Sequence, residues 1–406
     1  MAGMLAVAEA RERLCADARL QLQKRVAATQ MMPLLQACGR ILAQDVVAGI
    51  NVPPAANSAM DGYALAAADA RLGAVLTVSQ RIGAGSVAQP LAAGTCARIL
   101  TGAELPAGAD TVVIQENCDR TGDQVTLNQA AERGDNIRPQ GQDIAAGSVV
   151  LEAGRRLRAQ DLALLASIGL TEVAVHAPLK VAVLATGDEL VEPGEALKPG
   201  QIYNSNRYLL TAMLAELGAE VEYLPAVADT LAATCEALRQ AAKRADIIVT
   251  TGGVSVGDAD FVKPAVEVLG QLDIWRVALK PGKPLAFGRV GETPFIGLPG
   301  NPVSAFVTFV LLLEPYVQIM QGAEAADLEI YTLAANFSRN KPGGRDEYLR
   351  GRMTDEGVTL HPQQSSGALS SVIGADCLVW LKAGETVEHG TLVRVLPLRQ
   401  WRAAQA

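Results

Sequence analysis

KVAVLATG at residues 180–187 reads as an apolar strand that ends on a glycine turn, and DIIVTTGG at residues 246–253 repeats the pattern. Amphipathic helical segments alternate with these strands, NRYLLTAMLAELG at residues 206–218 and TLAATCEALRQAAK at residues 230–243. Alternation of this kind as far as residue 320 predicts βαβ units and a mostly parallel sheet covered by helices. Ligands are then expected at the carboxyl ends of the strands.

The regions on either side have other patterns. Residues 4–28 and 157–170 are rich in Ala and Leu with interspersed charges, which predicts two amphipathic helices that we expect to pack near each other. Residues 45–150 contain short alternating runs such as AVLTVSQ (74–80), separated by Gly, Pro, Asn and Asp, which predict a β-rich insertion. After residue 322 short β-like runs return and predict a small C-terminal β domain.

Composition narrows the class of protein. A chain of 406 residues suggests roughly two to four domains, and 50% hydrophobic residues with 19% charged residues indicate a globular protein. The net charge of −8 argues against a nucleic-acid partner, because phosphate affinity comes mainly from clustered Lys and Arg. Six cysteines without CxxC spacing suit reduced thiols, and no apolar run approaches the ~20 residues of a membrane span. We therefore expect a cytoplasmic protein with no membrane partner.

Three turns fall where strands of the α/β region should end. The first, at residues 186–189, follows the strand at 180–185; the second, TTGGVSVGD at residues 250–258, has glycines that let its backbone approach an anion closely. The third, LPGNPVS at residues 298–304, opens a helix with Asn301 as N-cap and Pro302 at N1. Each alone could be an ordinary strand-to-helix turn, but their coincidence at one sheet edge favours an oxyanion site.

Charged side chains accompany these turns. KPGKP at residues 280–284 places Lys280 and Lys283 on a turn stiffened by two prolines, with solvated surface lysines as the alternative. Carboxylates occur at comparable strand ends: Asp188, Glu189, Asp229, Asp258 and Asp260. Acids beside a phosphate site repel the ligand unless a hard cation lies between them, so the sequence predicts Mg²⁺.

GVSVG at residues 253–257 also matches the G-x-S-x-G nucleophile elbow of serine hydrolases. Such an enzyme needs a histidine base, and the later histidines, His361 and His389, fall in the predicted C-terminal β domain. With His176 the only other histidine, a zinc site has little to be built from. The oxyanion site is the favoured interpretation.

Nine short motifs run in order through nearly the whole chain: NSAMDGYA (57–64), TGAELP (101–106), ADTVV (109–113), NIRP (136–139), GQD (141–143), ATGDEL (185–190), TGGVSVGD (251–258), KPGKP (280–284) and LPGNPVS (298–304). Their order and spacing resemble the MoeA family of molybdopterin molybdenumtransferases. Each is weak alone, and the C-terminal residues match least distinctively. Arg276 departs from the family pattern, in which a lysine often precedes the KPGKP loop.

The resemblance implies a multidomain α/β fold. A helical domain would be formed by residues 1–44 and 140–178, with an inserted β-rich domain at 45–139. A three-layer α/β molybdopterin-binding domain would follow at 179–325, and a C-terminal β barrel at 326–406. The resemblance also implies a homodimer in which the insertion of one subunit leans over the α/β site of the other.

The implied reaction is the Mg²⁺-dependent insertion of molybdate into adenylyl-molybdopterin with release of AMP. A molybdopterin adenylyltransferase and molybdoenzyme apoproteins are the implied protein partners. Two other functions stay open: the same α/β domain type occurs in molybdopterin adenylyltransferases, which consume ATP, and the C-terminal region of gephyrin, a receptor-binding scaffold, resembles this family.

The resemblance assigns roles position by position. Residues expected to bind the substrate phosphates or to frame the turns are Thr186, Gly187, Gly252, Gly253, Ser255, Gly257, Asp258, Pro299, Gly300, Asn301 and Pro302. Residues expected to hold or position Mg²⁺ are Glu189, Asp229 and Asp260, with Asp61 and Asp143 as further candidates for this role. Thr101 is expected beside them as a catalytic residue. For the loop around Asp61 and Thr101, a structural role of the Asp hydrogen bonds is the alternative. Residues expected to receive molybdate are Lys280, Lys283, Ser304, Arg350 and a serine of the 366–371 segment, taken as Ser371.

Overall fold

The computed structural model describes residues 4–25, 29–224, 227–228, 230–253, 261–282, 284–323 and 327–398. The chain divides into two compact units. One comprises Met1–Gln30 and His176–Ala406, and the other comprises Met31–Val175.

The first part of the chain contains a long helix, many short strands and one shorter helix. In chain order these elements are α1 (Val7–Lys24), β1 (Thr29–Pro33), β2 (Val46–Val47), β3 (Asn57–Ser58), β4 (Gly62–Leu65), β5 (Val75–Ile82), β6 (Thr95–Ile99), β7 (Thr111–Ile114), β8 (Cys118–Thr121), β9 (Gln124–Leu127), β10 (Ile137–Arg138), β11 (Val149–Leu151), α2 (Ala159–Ser167) and β12 (Glu172–His176). Short 3₁₀ helices lie at Leu34–Gln36, Ala67–Asp69 and Gln115–Asn117.

The unit Met31–Val175 is built around a six-stranded sheet with the order β7-β4-β6-β5-β9-β8. Only the β5–β6 pairing in this sheet is parallel. Tyr63, Leu65 and Val125 pack on one side of the sheet, while Ala64 and Ile99 belong to a separate cluster. Neighbouring residues of β4 thus enter different clusters, as the period of two along a strand requires. The predicted β-rich character of this region is confirmed.

The α/β region follows. Its elements are β13 (Lys180–Ala185), β14 (Leu190–Val191), β15 (Ile202–Tyr203), α3 (Ser205–Glu216), β16 (Glu220–Tyr223), α4 (Leu231–Ala242), β17 (Ile247–Thr251), α5 (Val262–Leu269), β18 (Gly270–Arg276), β19 (Leu279–Lys280), β20 (Pro284–Val290), β21 (Thr293–Leu298), α6 (Pro302–Thr308), a π-helical turn (Phe309–Leu313) and α7 (Glu314–Met320).

The α/β sheet has the order β16-β13-β17-β21-β20-β18. The first four strands are parallel. At one edge β20 pairs antiparallel with β21, and β18 pairs antiparallel with β20. Val181 and Val183 face one hydrophobic core, and Ala182 and Leu184 face the other. The apolar run in β13 is therefore continuous because both faces of the strand are covered. The predicted three-layer α/β fold is confirmed.

The first helix does not pack as expected. Its apolar stripe, which includes Ala10, Leu14 and Ala18, lies in the core beside the α/β sheet together with Phe309 and Tyr316. Leu165 of α2 lies in a core of the other compact unit. α1 and α2 do not share a hydrophobic core, so the expectation that they pack together is wrong. Amphipathic spacing fixes which face of a helix is buried, but not which partner covers that face.

Residues Pro302–Met320 form a continuous helical segment that is long and apolar enough to cross a membrane by length and composition, with a mean hydropathy of 1.7. Within the fold, 89% of this segment is buried. Phe306, Phe309 and Leu312 are among its core residues. The segment is therefore explained by its place in the hydrophobic core.

The C-terminal elements are β22 (Tyr331–Ala334), β23 (Asp346–Thr354), β24 (Gly357–Leu360), α8 (Ser370–Ile373), β25 (Cys377–Leu381) and β26 (Leu392–Pro397). β23, β25, β26 and β22 are paired in that order, and β24 pairs with the side of β23 opposite β25. A bridge between Ala335 and Val358 joins the end of β22 to β24 and closes the ring. The predicted C-terminal barrel is confirmed. β19 pairs in parallel with β23 and so connects this barrel to the α/β region.

Candidate functional site

A cavity of about 1180 Å³ lies at the carboxyl ends of β13, β17 and β21, and residues of the C-terminal barrel form its other wall. Glu189, Gly252, Lys280 and Pro299, which come from four separate motifs, all line it. The other predicted site residues that line it are Thr186, Gly253, Gly300, Asn301, Pro302, Ser304 and Arg350. The turns that the sequence placed at one sheet edge are therefore brought together.

The glycines of the second turn are required by its close approach to the first. Gly252 has a φ of +80°, and a Cβ there would lie 2.9 Å from the carbonyl oxygen of Thr186. Gly253 has a φ of +67°, and its Cβ would lie 2.3 Å from a methyl carbon of Val262. Both positions combine a left-handed backbone with absent space, so only glycine fits. The turn thereby presents its backbone to the cavity.

Asn206 joins the second turn to the third. Its amide nitrogen donates hydrogen bonds to Thr251 Oγ1 at 2.8 Å and to the carbonyl oxygen of Gly300 at 2.7 Å. Among the described residues, Asn206 Oδ1 and Thr186 Oγ1 are buried without a hydrogen-bond partner. Both residues line the cavity, and buried polar atoms are normally satisfied, so a ligand in the cavity is a candidate partner for these two oxygens.

The third turn begins the helix as predicted. Asn301 is the N-cap and Pro302 occupies the first helical turn, although the Asn301 side chain makes no capping hydrogen bond. The backbone N–H of Val303 donates to the carbonyl oxygen of Ser366 at 3.0 Å. One of the N–H groups at the helix start that we expected to bind an anion is therefore hydrogen-bonded to the C-terminal region. Ser304 follows it and lines the cavity.

Arg350 brings a buried positive charge to the barrel wall. The residue is 0% exposed, and its Nε donates to Ser371 Oγ at 3.1 Å. Its Nη2 donates to the carbonyl oxygen of Ser365 at 3.2 Å. Nη1 has no hydrogen-bond partner among the residues that the structure describes. Burial lowers the pKa of the guanidinium, which nevertheless stays charged as arginine does in proteins.

Ser371 acts on the site through Arg350, since it binds that side chain and is not itself a lining residue. Ser366 of the same segment does line the cavity. The two serines therefore take different positions, one beside the arginine and one at the wall.

A second group of charges surrounds Lys280. Its Nζ donates to Glu347 Oε1 at 2.8 Å, and Arg339 forms an ion pair with Glu347 Oε2. Arg345 donates to the carbonyl oxygen of Leu279 at 2.9 Å. Lys280, Arg339 and Arg345 line the cavity together with Arg350. The cavity is locally cationic in a chain whose net charge is −8.

Glu189 is the predicted Mg²⁺ ligand that the structure places. Gly187 has a φ of +142°, and a Cβ there would lie 2.5 Å from Glu189 Oε2, so the carboxylate folds back over the glycine. One carboxylate beside a glycine turn would suit Mg²⁺, which takes one or two carboxylates together with phosphate oxygens and water. The described part of the chain contains no cluster of three or more His, Cys, Asp or Glu residues able to hold a metal ion.

Several predicted site residues lie outside the described residues: Asp229, Ser255, Gly257, Asp258, Asp260 and Lys283. The placement of the remaining Mg²⁺ ligands and of the hydrolase nucleophile therefore stays a prediction. His361, one candidate base for a hydrolase, is not a lining residue of the cavity. Its Nδ1 accepts a hydrogen bond from the backbone N–H of Gln363 at 3.1 Å.

Asp61, Thr101 and Asp143 belong to the other compact unit. Asp61 Oδ1 accepts hydrogen bonds from the backbone N–H and from the hydroxyl of Thr101, each at 2.7 Å. These two bonds lower the pKa of the Asp61 carboxyl. The geometry is that of a loop stabilised by an Asp side chain, the alternative raised from the sequence. Asp143 is exposed on its own loop.

Several lining residues were not predicted from the sequence: Asn206, Arg339, Arg345, Gln364 and Ser365. A signal existed for the arginines, because RNKPGGRDEYLR at residues 339–350 is a basic segment that contains Arg350. Asn206 gave no comparable signal, since an asparagine in the first turn of a helix is also common for local hydrogen bonding.

The whole chain is similar to known proteins. Three family models match it in order: MoeA N-terminal region (domain I and II) at residues 5–169, probable molybdopterin binding domain at residues 182–319, and MoeA C-terminal region (domain IV) at residues 332–398. A molybdopterin molybdenumtransferase from Haemophilus influenzae is 40% identical over 374 residues, which cover 88% of this chain and 93% of that protein.

Two further relatives agree. Molybdopterin molybdenumtransferase 2 from Mycobacterium tuberculosis is 37% identical over 345 residues, covering 81% of this chain and 84% of that protein. The crystal structure of a molybdopterin biosynthesis MoeA protein from Pyrococcus horikoshii superposes with a TM-score of 0.85 at 27% identity, covering 98% of this chain and 100% of that chain.

Proposed function

The chain belongs to the MoeA family and is a transferase of molybdenum cofactor biosynthesis, and from this we propose that it inserts molybdate into adenylyl-molybdopterin and releases AMP. The observation that carries the proposal is the cavity itself. It combines three strand-end turns with Lys280, Arg339, Arg345 and Arg350. Such a cavity can neutralise two oxyanions together, namely the substrate phosphate and molybdate.

The turns supply the phosphate-binding half of the site. Gly252 and Gly253 expose backbone at the end of β17, and Asn206 and Thr186 offer buried oxygens that are unpaired among the described residues. Acceptor oxygens of this kind suit the N–H groups of a heterocycle, while backbone N–H groups suit a phosphate. We infer that the adenylylated pterin lies along these turns.

The barrel wall supplies the molybdate-binding half. Molybdate is a tetrahedral dianion, and charge-assisted hydrogen bonds from guanidinium and ammonium groups are strong and short. Arg350 is held by Ser371 and by backbone carbonyls, which leaves its Nη1 for an anion. Lys280 and Ser304 line the same cavity from the α/β side.

Catalysis then comes from proximity and charge. Holding molybdate next to the dithiolene sulfurs makes their reaction effectively unimolecular. Fixed cations stabilise the negative charge that develops on the adenylyl phosphate as AMP leaves. Mg²⁺ would supply further charge at this phosphate, and Glu189 is the described residue that would hold it, with Asp229 and Asp260 as predicted companions.

The assembly is also proposed. We infer a homodimer, a cytoplasmic location, and a molybdopterin adenylyltransferase and molybdoenzyme apoproteins as protein partners. The domain boundaries expected from the sequence also stay predictions. The oligomeric state, the location, the protein partners and the domain boundaries can each be tested separately from the reaction.

The decisive experiment incubates the purified chain with adenylyl-molybdopterin, Mg²⁺ and molybdate and measures free AMP and metal-loaded pterin. AMP release that requires molybdate is expected. AMP release that is independent of molybdate would contradict the proposal. Consumption of ATP with molybdopterin would instead favour the adenylyltransferase, and absence of both reactions would favour a scaffold.

The role of Glu189 gives a sharper test. Glu189→Gln keeps the shape of the side chain but removes its charge, so we expect AMP release to fall by roughly 10²–10³, the usual scale for losing one stabilising group. Glu195→Gln removes an exposed carboxylate outside the cavity lining and is the matched control. Full activity in the Glu189 variant would exclude the assigned Mg²⁺ role.

A further inference from the structure

Glu347 is a buried carboxylate directly behind the cationic wall of the cavity. It is 2% exposed and does not line the cavity. The parallel pairing of β19 with β23 places Glu347 opposite Lys280 in register. An acid of the barrel therefore meets a lysine of the α/β region through regular strand pairing.

Two cations share this carboxylate. Lys280 donates to Oε1 at 2.8 Å, and Arg339 forms an ion pair with Oε2 rather than an aligned hydrogen bond. The Lys280 side chain is still 52% exposed and that of Arg339 is 25% exposed. Both residues also line the cavity. Each cation is thus bound by Glu347, while part of its side chain stays exposed.

Gly343 packs against the same carboxylate. A Cβ on Gly343 would lie 2.5 Å from Glu347 Oε1 and 2.8 Å from its carboxyl carbon. No left-handed φ is found at this glycine, so close packing is what excludes a side chain. The loop between Arg339 and Glu347 therefore contributes both a cation and the glycine that packs on the acid.

We propose that Glu347 is a positioning residue that fixes Lys280 and Arg339 for oxyanion binding, an inference that rests on the proposed molybdate chemistry. Its negative charge lies close to a site for anions. Coulomb repulsion alone would therefore make Glu347 unfavourable for binding. Positioning acts in the opposite direction, because two flexible cationic side chains lose less freedom on binding when they are already held.

Charge repulsion and positioning predict opposite changes in molybdate affinity when Glu347 is replaced, so the direction of the change distinguishes them. Glu347→Gln removes the charge and keeps the size of the side chain. If positioning dominates, the Kd of molybdate alone, measured by titration calorimetry, rises by about tenfold, by analogy with the loss of residues that orient metal ligands. The KM for molybdate rises in parallel, while the KM for adenylyl-molybdopterin changes little. Glu385→Gln, which removes the Arg394-paired carboxylate from the same barrel outside the cavity lining, keeps wild-type values.

A second pair of variants tests position without changing any charge. Gly343→Ala places a methyl group against the Glu347 carboxylate, whereas Gly344→Ala meets nothing within 4 Å. We expect Gly343→Ala to weaken molybdate binding and Gly344→Ala to leave it unchanged. Thermal unfolding of each variant identifies any global loss of structure.

The outcomes separate the two proposals. Tighter or unchanged molybdate binding in Glu347→Gln would overturn the positioning role, and so would equal behaviour of the two glycine variants. A wild-type protein that releases no AMP in the presence of molybdate would instead overturn the proposed function. Weaker binding in Glu347→Gln and Gly343→Ala, with both controls at the wild-type level, supports the inference.

Discussion

At the scale of single residues, Arg350 combines full burial with an unfinished set of hydrogen bonds. Removing a guanidinium from water is costly unless its donors are satisfied, and here Ser371 and Ser365 satisfy only part of the group. The remaining donor, Nη1, belongs to a residue of the cavity wall. An anion in the cavity would complete the set.

Replacing Arg350 by Lys tests that interpretation. Lysine keeps a charge but cannot bind Ser371, the Ser365 carbonyl and an anion with one ammonium group. A hydrogen bond to a charged group contributes about 1.5–3 kcal/mol, so the KM for molybdate should rise by roughly 10-fold to 100-fold. Steady-state AMP release at varied molybdate measures it. Arg352→Lys, at an exposed position of the same strand, should stay at the wild-type value. An equal loss of pterin binding would contradict the assignment to molybdate.

Gly253 allows the cost of close packing to be measured. In Gly253→Ala the left-handed backbone alone costs roughly 1–2 kcal/mol, and the overlap with Val262 adds to this. Gly291 has a φ of +58° with nothing within 4 Å of a Cβ, so Gly291→Ala carries the backbone cost only. We expect a larger fall in the urea midpoint for Gly253→Ala than for Gly291→Ala. Equal midpoints would show that the second turn has room to relax.

At the scale of secondary-structure elements, α1 is held on the α/β core by a polar anchor as well as by its apolar stripe. Asp17 forms an ion pair with Arg289 and accepts a hydrogen bond from the Tyr316 hydroxyl at 2.8 Å. The Asp17 side chain is 13% exposed. Burial, followed by the nearby Asp17 charge, raises the pKa of Tyr316, so its hydroxyl remains a donor.

Asp17→Asn should therefore loosen this helix. The substitution leaves the Arg289 charge without its counterion in a largely buried place, which costs about 3 kcal/mol by analogy with broken buried pairs. Glu9→Gln breaks an exposed pair with Arg13 on the same helix and should cost at most about 0.5 kcal/mol. Urea unfolding followed by circular dichroism compares the two. Similar midpoints for both variants would mean that the apolar stripe alone holds α1.

At the scale of the whole molecule, we expect a ligand in the cavity to stabilise one of the two compact units. All lining residues of the cavity that the structure describes belong to the unit that contains the α/β region and the barrel. A ligand that binds only the folded state stabilises it by about 2.7 kcal/mol at a free concentration 100 times its Kd. We expect molybdate to raise the Tm of the transition assigned to this unit, as measured by calorimetric scans. In Arg350→Lys the rise should shrink, and an unchanged rise would place molybdate elsewhere.

Much of the architecture could be anticipated because its signals are local. Three such features depend only on the periodicity and backbone preferences of neighbouring residues. They are the alternation of apolar strands and amphipathic helices, the glycines after β13 and β17, and the helix start at Asn301 and Pro302. Parallel strands must then bring their carboxyl ends to one edge, which is why Glu189, Gly252 and Pro299 could be expected to meet.

Other features are decided by contacts that no local pattern specifies. Lys280 and Glu347 are 67 positions apart and meet only because β19 pairs with β23 in one register. Asn206 joins two turns, and α1 is buried in the α/β core, whereas α2 is buried in a different core. Hydrophobic burial is non-directional. The sequence pattern therefore predicts which face of an element is buried, and only the tertiary structure shows which residues cover that face.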